Sequence, residues 1–501
     1  MQFKYNINNQ LPPLAWFALI AGDTINVECG NAVACNDQFF VSGAWAGNFA
    51  DGDFLHSDLR CMTGCSIANQ GISFSTSSYP QETMFSMNTP EGFAIANSLP
   101  LLLAATDSKL DRNFFHYEEA LNSVAYGRLR YIKNVPVITP RGKQQLNLHI
   151  CCTLDVATDG SFKATPIATA TTFSTFDEYH NAMSAALRAL RDNATDPART
   201  KAYGMVSTIS RGYDATAASA LCRELGCDTT LTFNRPVKYA EDCGSDIARK
   251  MGYTHVIEGD ANEVFTNEQL WEAEAAAGGD ISLVVFDVFS KQYTNCMLFM
   301  GVRGDSMWDK TAIDRCNENF DYGRMKISNP QNPEHWLRTN TILVSVPLIF
   351  GDHWPQIAHV SNLDEMKPYS VGGNYDRPIP RKLVEDMGIE RNEFGMSKKG
   401  AGYTCHFDTV GRMARKMSLK SFNSFSRYCR DKKGDFIPRV KNGIIFYTTE
   451  VAEYVNRATK VLKINYSMKR NEHYHSGPAS ALLVQWGVDT LRKQYKKNLN
   501  K

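Results

Sequence analysis

Up to about residue 170 the apolar positions fall in short runs broken by turn residues about every eight to twelve positions, the texture of short β-strands. Phe39, Phe40 and Val41 make one such run, and Phe93, Ala94, Ile95 and Ala96 another. Leu146, Leu148 and Ile150 alternate with polar residues, which predicts a strand with one buried face. An apolar run over 14–22 comes earlier. It is shorter than the roughly 18 residues that suggest a membrane span, and Lys4 alone precedes it as a basic side chain, so it reads as a first strand.

The period changes near residue 175. Thr175 with Glu178 has the form of a capping box, and Tyr179, Met183, Ala186, Leu187 and Leu190 follow at helical spacing until Asp196 and Pro197 end the pattern. This helix marks the expected boundary between a β-rich domain, 1–175, and a second domain, 176–501. Strands are predicted at 205–209, 229–233, 254–258, 282–286 and 297–300, and helices at 215–225, 242–251 and 268–277. Such alternation predicts an α/β fold with a parallel sheet covered by helices. Beyond about residue 325 the chain reads as mainly helical, with a helix over 381–387 introduced by Pro378 and Pro380.

Composition narrows the function classes. Fifty-four basic against 53 acidic side chains give a net charge of +1, which argues against a dedicated nucleic-acid binder. The basic tail of Lys493, Lys496, Lys497 and Lys501 reads as a solvated end. Thirteen cysteines, an odd number without a disulfide-scaffold spacing, fit reduced thiols in a soluble cytoplasmic protein. Cys61 with Cys65, and His473 with His475, are the nearest approach to zinc ligands; the plainer reading is buried thiols and solvent-facing imidazoles.

Candidate chemistry centres on the run Ser210, Arg211, Gly212, Tyr213, Asp214, Ala215, Thr216, which joins a predicted strand to a predicted helix. A helix N-terminus offers free N–H groups and the positive end of a dipole, which suits a phosphate. Gly212 permits close approach of the main chain, Ser210 and Thr216 carry hydroxyl donors, and Asp214 is a hard oxygen ligand suited to Mg²⁺.

This run resembles the pyrophosphate loop of the ATP-pyrophosphatase superfamily, in particular its asparagine synthetase and β-lactam synthetase branch. Ser210, Gly212 and Asp214 match the Ser-Gly-Gly-x-Asp-Ser pattern, whereas Arg211 replaces a glycine and Ala215 the final serine. Two N-terminal stretches, 39–47 and 95–102, look like pieces of that family's N-terminal β-domain. Gly301 and Asp305 match a second family loop, although Val302 and Ser306 stand where that loop has glutamates. The segments 376–382 and 394–399 resemble a late one, which ends on a lysine.

The resemblance implies a nucleotide-binding fold, ATP and Mg²⁺ as cofactors, and formation of an amide bond through an acyl-adenylate. It places Ser210, Arg211, Gly212, Asp214 and Thr216 on the phosphates, Phe233 beside adenine, Asp214 and Asp305 on Mg²⁺, and Lys398 or Lys399 at the adenylation transition state. The family's glutaminases use an N-terminal cysteine; this sequence reads Met1, Gln2, Phe3 and has its first cysteine at Cys29, so glutamine hydrolysis is not expected. The partners are then a small-molecule or peptide carboxylate and an amine, with a homo-oligomer left open and no membrane. Tyr369, Glu365 and His353 are guesses at a general base. Two alternatives remain: a degenerate nucleotide-binding scaffold, and a nucleobase- or tRNA-modifying enzyme of the same superfamily.

Overall fold

The structure, a computed structural model, describes the chain apart from residues 69–70, 236–241, 264–267, 277–283, 322–332, 397–412, 416, 432–435, 469–477 and 501. The N-terminal region is β-rich and holds two sheets. One has eight strands, from Gln2–Ile7 at one edge to Lys109–Leu110 at the other; the second has six, from Phe162–Pro166 to Ala34–Cys35. Pairings in both are antiparallel except that Gln2–Ile7 runs parallel to Thr24–Cys29. The sheets face each other across an apolar layer, in which the Trp16 ring lies 5.0 Å from Phe40 and 6.0 Å from Phe74. The apolar run over 14–22 forms the interior strand Trp16–Ala21, so it is the second strand and not the first. Gln2–Ile7 precedes it as a polar edge strand, too exposed to carry a clear apolar signal.

Helix α1 (Phe176–Ala194) begins at the predicted capping box: the Thr175 hydroxyl accepts from the Glu178 N–H at 3.2 Å, and the Glu178 carboxylate accepts from the Thr175 N–H at 3.3 Å. Its buried face, Tyr179, Met183, Leu187 and Leu190, does not close a separate domain core. It joins one apolar cluster with Ala44 and Leu59 from the β-rich region and Phe299 and Val344 from the next sheet.

That next sheet has five parallel strands, β1 (Gly204–Thr208), β2 (Thr229–Arg235), β3 (His255–Asp260), β4 (Cys296–Met300) and β5 (Ile342–Ser345), in the order β3-β2-β1-β4-β5. Helix α2 (Tyr213–Glu224) follows β1. Of the predicted strand at 282–286, residues 282–283 lie outside the described residues, and the remainder is not strand: Val284–Phe289 is a 3₁₀ helix whose Phe286 and Phe289 pack on Phe233. A short apolar run carries no period that separates strand from buried turn, and here packing on β2 decides. The fifth strand, only four residues long and wholly buried, gave no alternation to read.

Further on, α3 (Pro378–Glu385) has Pro378 as its first residue, three residues ahead of the expected start. Helices α4 (Phe436–Val461) and α5 (Pro478–Leu499) complete the helical C-terminal part. Helix α5 returns to the N-terminal region, where Val484, Val488 and Leu491 share a core with Leu101, Leu102 and Val137. The buried Glu334 fixes that contact by accepting from the Ser98 hydroxyl at 2.5 Å and the Tyr495 hydroxyl at 2.6 Å. Among the described residues no helix is long and apolar enough to cross a membrane.

A polar seam joins the six-stranded sheet region to β5. The Gln81 amide donates to the Leu343 carbonyl and accepts from the Ser345 hydroxyl at 3.1 Å. Next to it, Glu82 lines a cavity of about 30 Å³ and accepts from the Ser77 hydroxyl at 2.6 Å. Burial pushes its carboxyl up from 4.5 to about 7. A carboxyl raised in the folded state contributes stability that is complete below its unfolded value and lost as pH rises through the folded one. Urea midpoints should therefore fall between about pH 4.5 and pH 7 by an amount equivalent to roughly 2–3 kcal/mol. Glu82→Gln should remove that part of the slope; an identical slope in the variant would show that Glu82 does not carry it.

Candidate functional site

The strand order puts β1 beside β4, and the direction of the chain reverses there: β2 and β3 lie on one side, β5 on the other. In open parallel sheets the crevice at such a switch point, outside the carboxyl ends of the strands, is where ligands bind. The 210–216 segment leaves the carboxyl end of β1, and the 301–305 segment leaves the carboxyl end of β4. The topology therefore brings the two quoted loops together.

Their contact is direct. A Cβ added to Gly301 would lie 2.3 Å from the carbonyl carbon of Asp214 and 2.5 Å from the Ala215 nitrogen. One added to Gly304 would lie 2.5 Å from Asp214 Oδ1. No side chain caps α2, whose N-cap is Gly212, and Asp214 sits in its first turn. Asp305 sits in the first turn of the short helix Gly304–Met307 and is half-buried.

The loop residues divide by what their polar atoms already do. The Ser210 hydroxyl accepts from the Gly212 N–H at 3.0 Å, which leaves its own proton for an acceptor. The Thr216 hydroxyl, fully buried, donates to the carbonyls of Ser210 at 2.8 Å and Gly212 at 2.5 Å. Thr216 thus shapes the loop from beneath and does not present its hydroxyl to a ligand. Arg211 donates from Nε to the Cys243 carbonyl at 3.1 Å, while its N–H donates to Asp242. Phe233, two residues before the end of β2, lies within an aromatic group, 5.0 Å from Phe286 and 5.1 Å from Phe289. It is a buried wall and not an open stacking surface.

The structure adds residues that pattern alone did not single out. Arg377, at the N-cap of α3, is buried. It pairs with Asp309 at 2.9 Å, donates to the Asp305 carbonyl at 2.9 Å, and lies 5.5 Å from the Tyr213 ring centre. The Tyr213 and Tyr375 rings lie 4.4 Å apart, tilted by 52° to each other. Burial raises both phenols, and the Asp214 and Asp305 carboxylates raise them further while Arg377 opposes the rise. Gly304, the residue before Asp305, lies against the Asp214 carboxylate, so the two loops bring these acidic residues close together. The late segment is thereby joined to both loops. A basic residue before Pro378 was the available signal, but only the fold reveals its partners.

Lys398 and Lys399 lie outside the described residues, so their place is not assigned. The chain that leads to them starts from this site: the Gly395 N–H donates to the Arg211 carbonyl at 2.8 Å, and the buried Arg381 donates to the Gly395 carbonyl at 2.9 Å. Among the described residues no group of three His, Cys, Asp or Glu side chains is gathered to hold a metal ion, and the described cysteines are free thiols. His473 and His475 lie outside the described residues. Of the three guessed bases, Glu365 accepts from the Phe176 N–H at 3.0 Å, His353 contacts the Thr169 carbonyl at 3.2 Å, and Tyr369 lies 3.2 Å from an Asp386 oxygen. None of these contacts touches the two loops.

No protein-family profile matches the chain, and no curated protein does.

The contact between the loops has a direct test. Gly301→Ala should cost about 1–3 kcal/mol of stability, the usual scale of overpacking, because the new methyl meets main chain that cannot rotate away. Equilibrium urea unfolding measures it. Unchanged stability would mean that the loops do not touch as described.

Proposed function

We propose that this chain is an ATP-dependent ligase that adenylates a carboxylate and transfers the acyl group to an amine. The observation that carries this reading is the meeting of the 210–216 and 301–305 loops at the switch point of a parallel sheet. An uncapped helix N-terminus with a hydroxyl beside it suits a pyrophosphate group. The carboxylates of Asp214 and Asp305 are hard oxygen donors, and Mg²⁺ characteristically uses one or two carboxylates together with phosphate oxygens. Bound there, Mg²⁺ would supply neutralisation of negative charge.

In this reading the first-turn N–H groups of α2 and the Ser210 hydroxyl receive the β- and γ-phosphates. Gly212 keeps the main chain open to them, and Thr216 holds the loop's shape. Adenine lies beyond the carboxyl end of β2, with the buried Phe233 behind it and not stacked on it. The substrate carboxylate oxygen attacks the α-phosphorus, and the bond to pyrophosphate breaks. The amine then attacks the acyl carbon, AMP leaves with the bonding pair, and the ammonium loses a proton. Lys398 or Lys399 supplies the charge that steadies the first step. Free thiols suit a reducing compartment such as the cytoplasm.

A second reading, nucleotide binding without chemistry, is favoured by one observation: Thr216 Oγ1 and Arg211 Nε are bonded to carbonyls of the chain itself. Incubation with Mg²⁺, ATP and a panel of amino-acid and peptide carboxylates separates the two. The ligase releases AMP and pyrophosphate with at least one carboxylate, and Asp305→Ala lowers that rate by about 10²-fold or more, the scale for loss of one charge-stabilising group. Release of ADP and phosphate would contradict adenylation, and saturable ATP binding with no turnover across the panel would favour the second reading.

A further inference from the structure

Two thiols of the N-terminal region face each other. Cys29 Sγ lies 3.9 Å from Cys35 Sγ, and either can donate its proton to the other. Among the described residues no other two cysteines make such a contact. Cys29 ends the strand Thr24–Cys29 of the eight-stranded sheet, and Cys35 ends Ala34–Cys35, the edge strand of the six-stranded one. The pair therefore spans the two sheets.

Main-chain contacts hold both thiols in place. In the turn between them the Gly30 N–H donates to the Ala15 carbonyl at 2.8 Å, and the Ala32 N–H to the Pro13 carbonyl at 3.0 Å. A Cβ on Gly30 would lie 2.0 Å from the Pro12 carbonyl oxygen, so this turn is seated directly on the chain that leads into Trp16–Ala21. On the far side of Cys35 the Tyr5 hydroxyl donates to the Asn36 carbonyl at 2.7 Å. The Cys35 thiol also reaches the Val33 carbonyl at 3.5 Å. The two sulfurs differ in access: Cys29 is fully buried, whereas Cys35 is half-buried and is followed by the exposed Asn36, Asp37 and Gln38.

We propose that Cys29 and Cys35 form a reversible dithiol–disulfide pair, oxidised by exchange with a small-molecule disulfide. Zinc is the other ordinary use of paired thiols, but a structural zinc takes about four ligands. Among the described residues no third His, Cys, Asp or Glu side chain is gathered with these two. A covalent S–S bond is about 2.0 Å long, so the sulfurs approach by about 1.9 Å, a movement shared between two side chains. In the first step the Cys35 thiolate attacks one sulfur of the oxidant; the oxidant's S–S bond breaks, and one thiolate leaves with the bonding pair and takes up a proton. Cys29 then gives up its proton, attacks the Cys35 sulfur and displaces the second thiolate, which is protonated in turn. The pair loses two electrons and two protons, and the oxidant gains them. The new bond staples the two sheets together across residues 30–34.

Glutathione disulfide is the probe, applied to the full folded chain after reduction. Trypsin releases residues 5–60 as one peptide that holds Cys29 and Cys35 and no other cysteine, so its mass reports on this pair alone. In the wild type that peptide loses the mass of two hydrogen atoms and regains it with dithiothreitol. Cys29→Ser keeps the accessible thiol but lacks the one that displaces the second glutathione, so its peptide retains a glutathione. Cys35→Ser leaves only a buried thiol, and its peptide is unmodified. A wild-type peptide that stays reduced, or that holds glutathione without closing, overturns the proposal, as does closure that occurs only in urea. A glutathione on the Cys35→Ser peptide overturns the assignment of Cys35 as the attacking sulfur.

Discussion

Close approach of two main-chain segments organises this molecule. Gly301 lies against the carbonyl carbon of Asp214, and Gly304 against the Asp214 carboxylate. Neither position admits a side chain unless something moves. That approach exists because β1 and β4 are neighbours although more than eighty residues separate them in sequence. Once the strands pair, the first turn of α2 and the 301–305 segment meet at the carboxyl edge of the sheet. Arg377 then ties α3 to the same place through the Asp305 carbonyl and Asp309.

The rest of the chain serves as a brace for that edge. The cluster containing α1 joins side chains of the β-rich region to those of the parallel sheet, so the N-terminal region is continuous with the core. Gln81 holds the outer strand β5 through main-chain and hydroxyl contacts. Helix α5 closes the arrangement from the other side, with Tyr495 and Ser98 both on the buried Glu334. A loop geometry that depends on main-chain contact needs such support, because interiors packed to crystal density transmit small displacements.

Elements with a strong period were legible in the sequence. The capping box at Thr175 and Glu178, the apolar face of α1, and the alternation of strand and helix from β1 to β3 follow from local chemistry. What escaped depends on contacts between distant segments. Val284–Phe289 turns because Phe286 and Phe289 find Phe233, and β5 is too short to show a period. Within the site, Ser210, Gly212 and Asp214 stood out by residue type and spacing. The inward hydroxyl of Thr216 could not be read, since threonine at that spacing suits a phosphate donor and a loop clasp equally.

On the proposed function the two loops form one nucleotide site. Isothermal titration of the purified chain with α,β-methylene ATP and Mg²⁺, repeated on Asp214→Ala, addresses it without knowledge of either further substrate. The expected result is saturable binding at one site per chain in the wild type and its loss in the variant. Absence of saturable binding to the wild type, or binding that Asp214→Ala leaves unchanged, would contradict it.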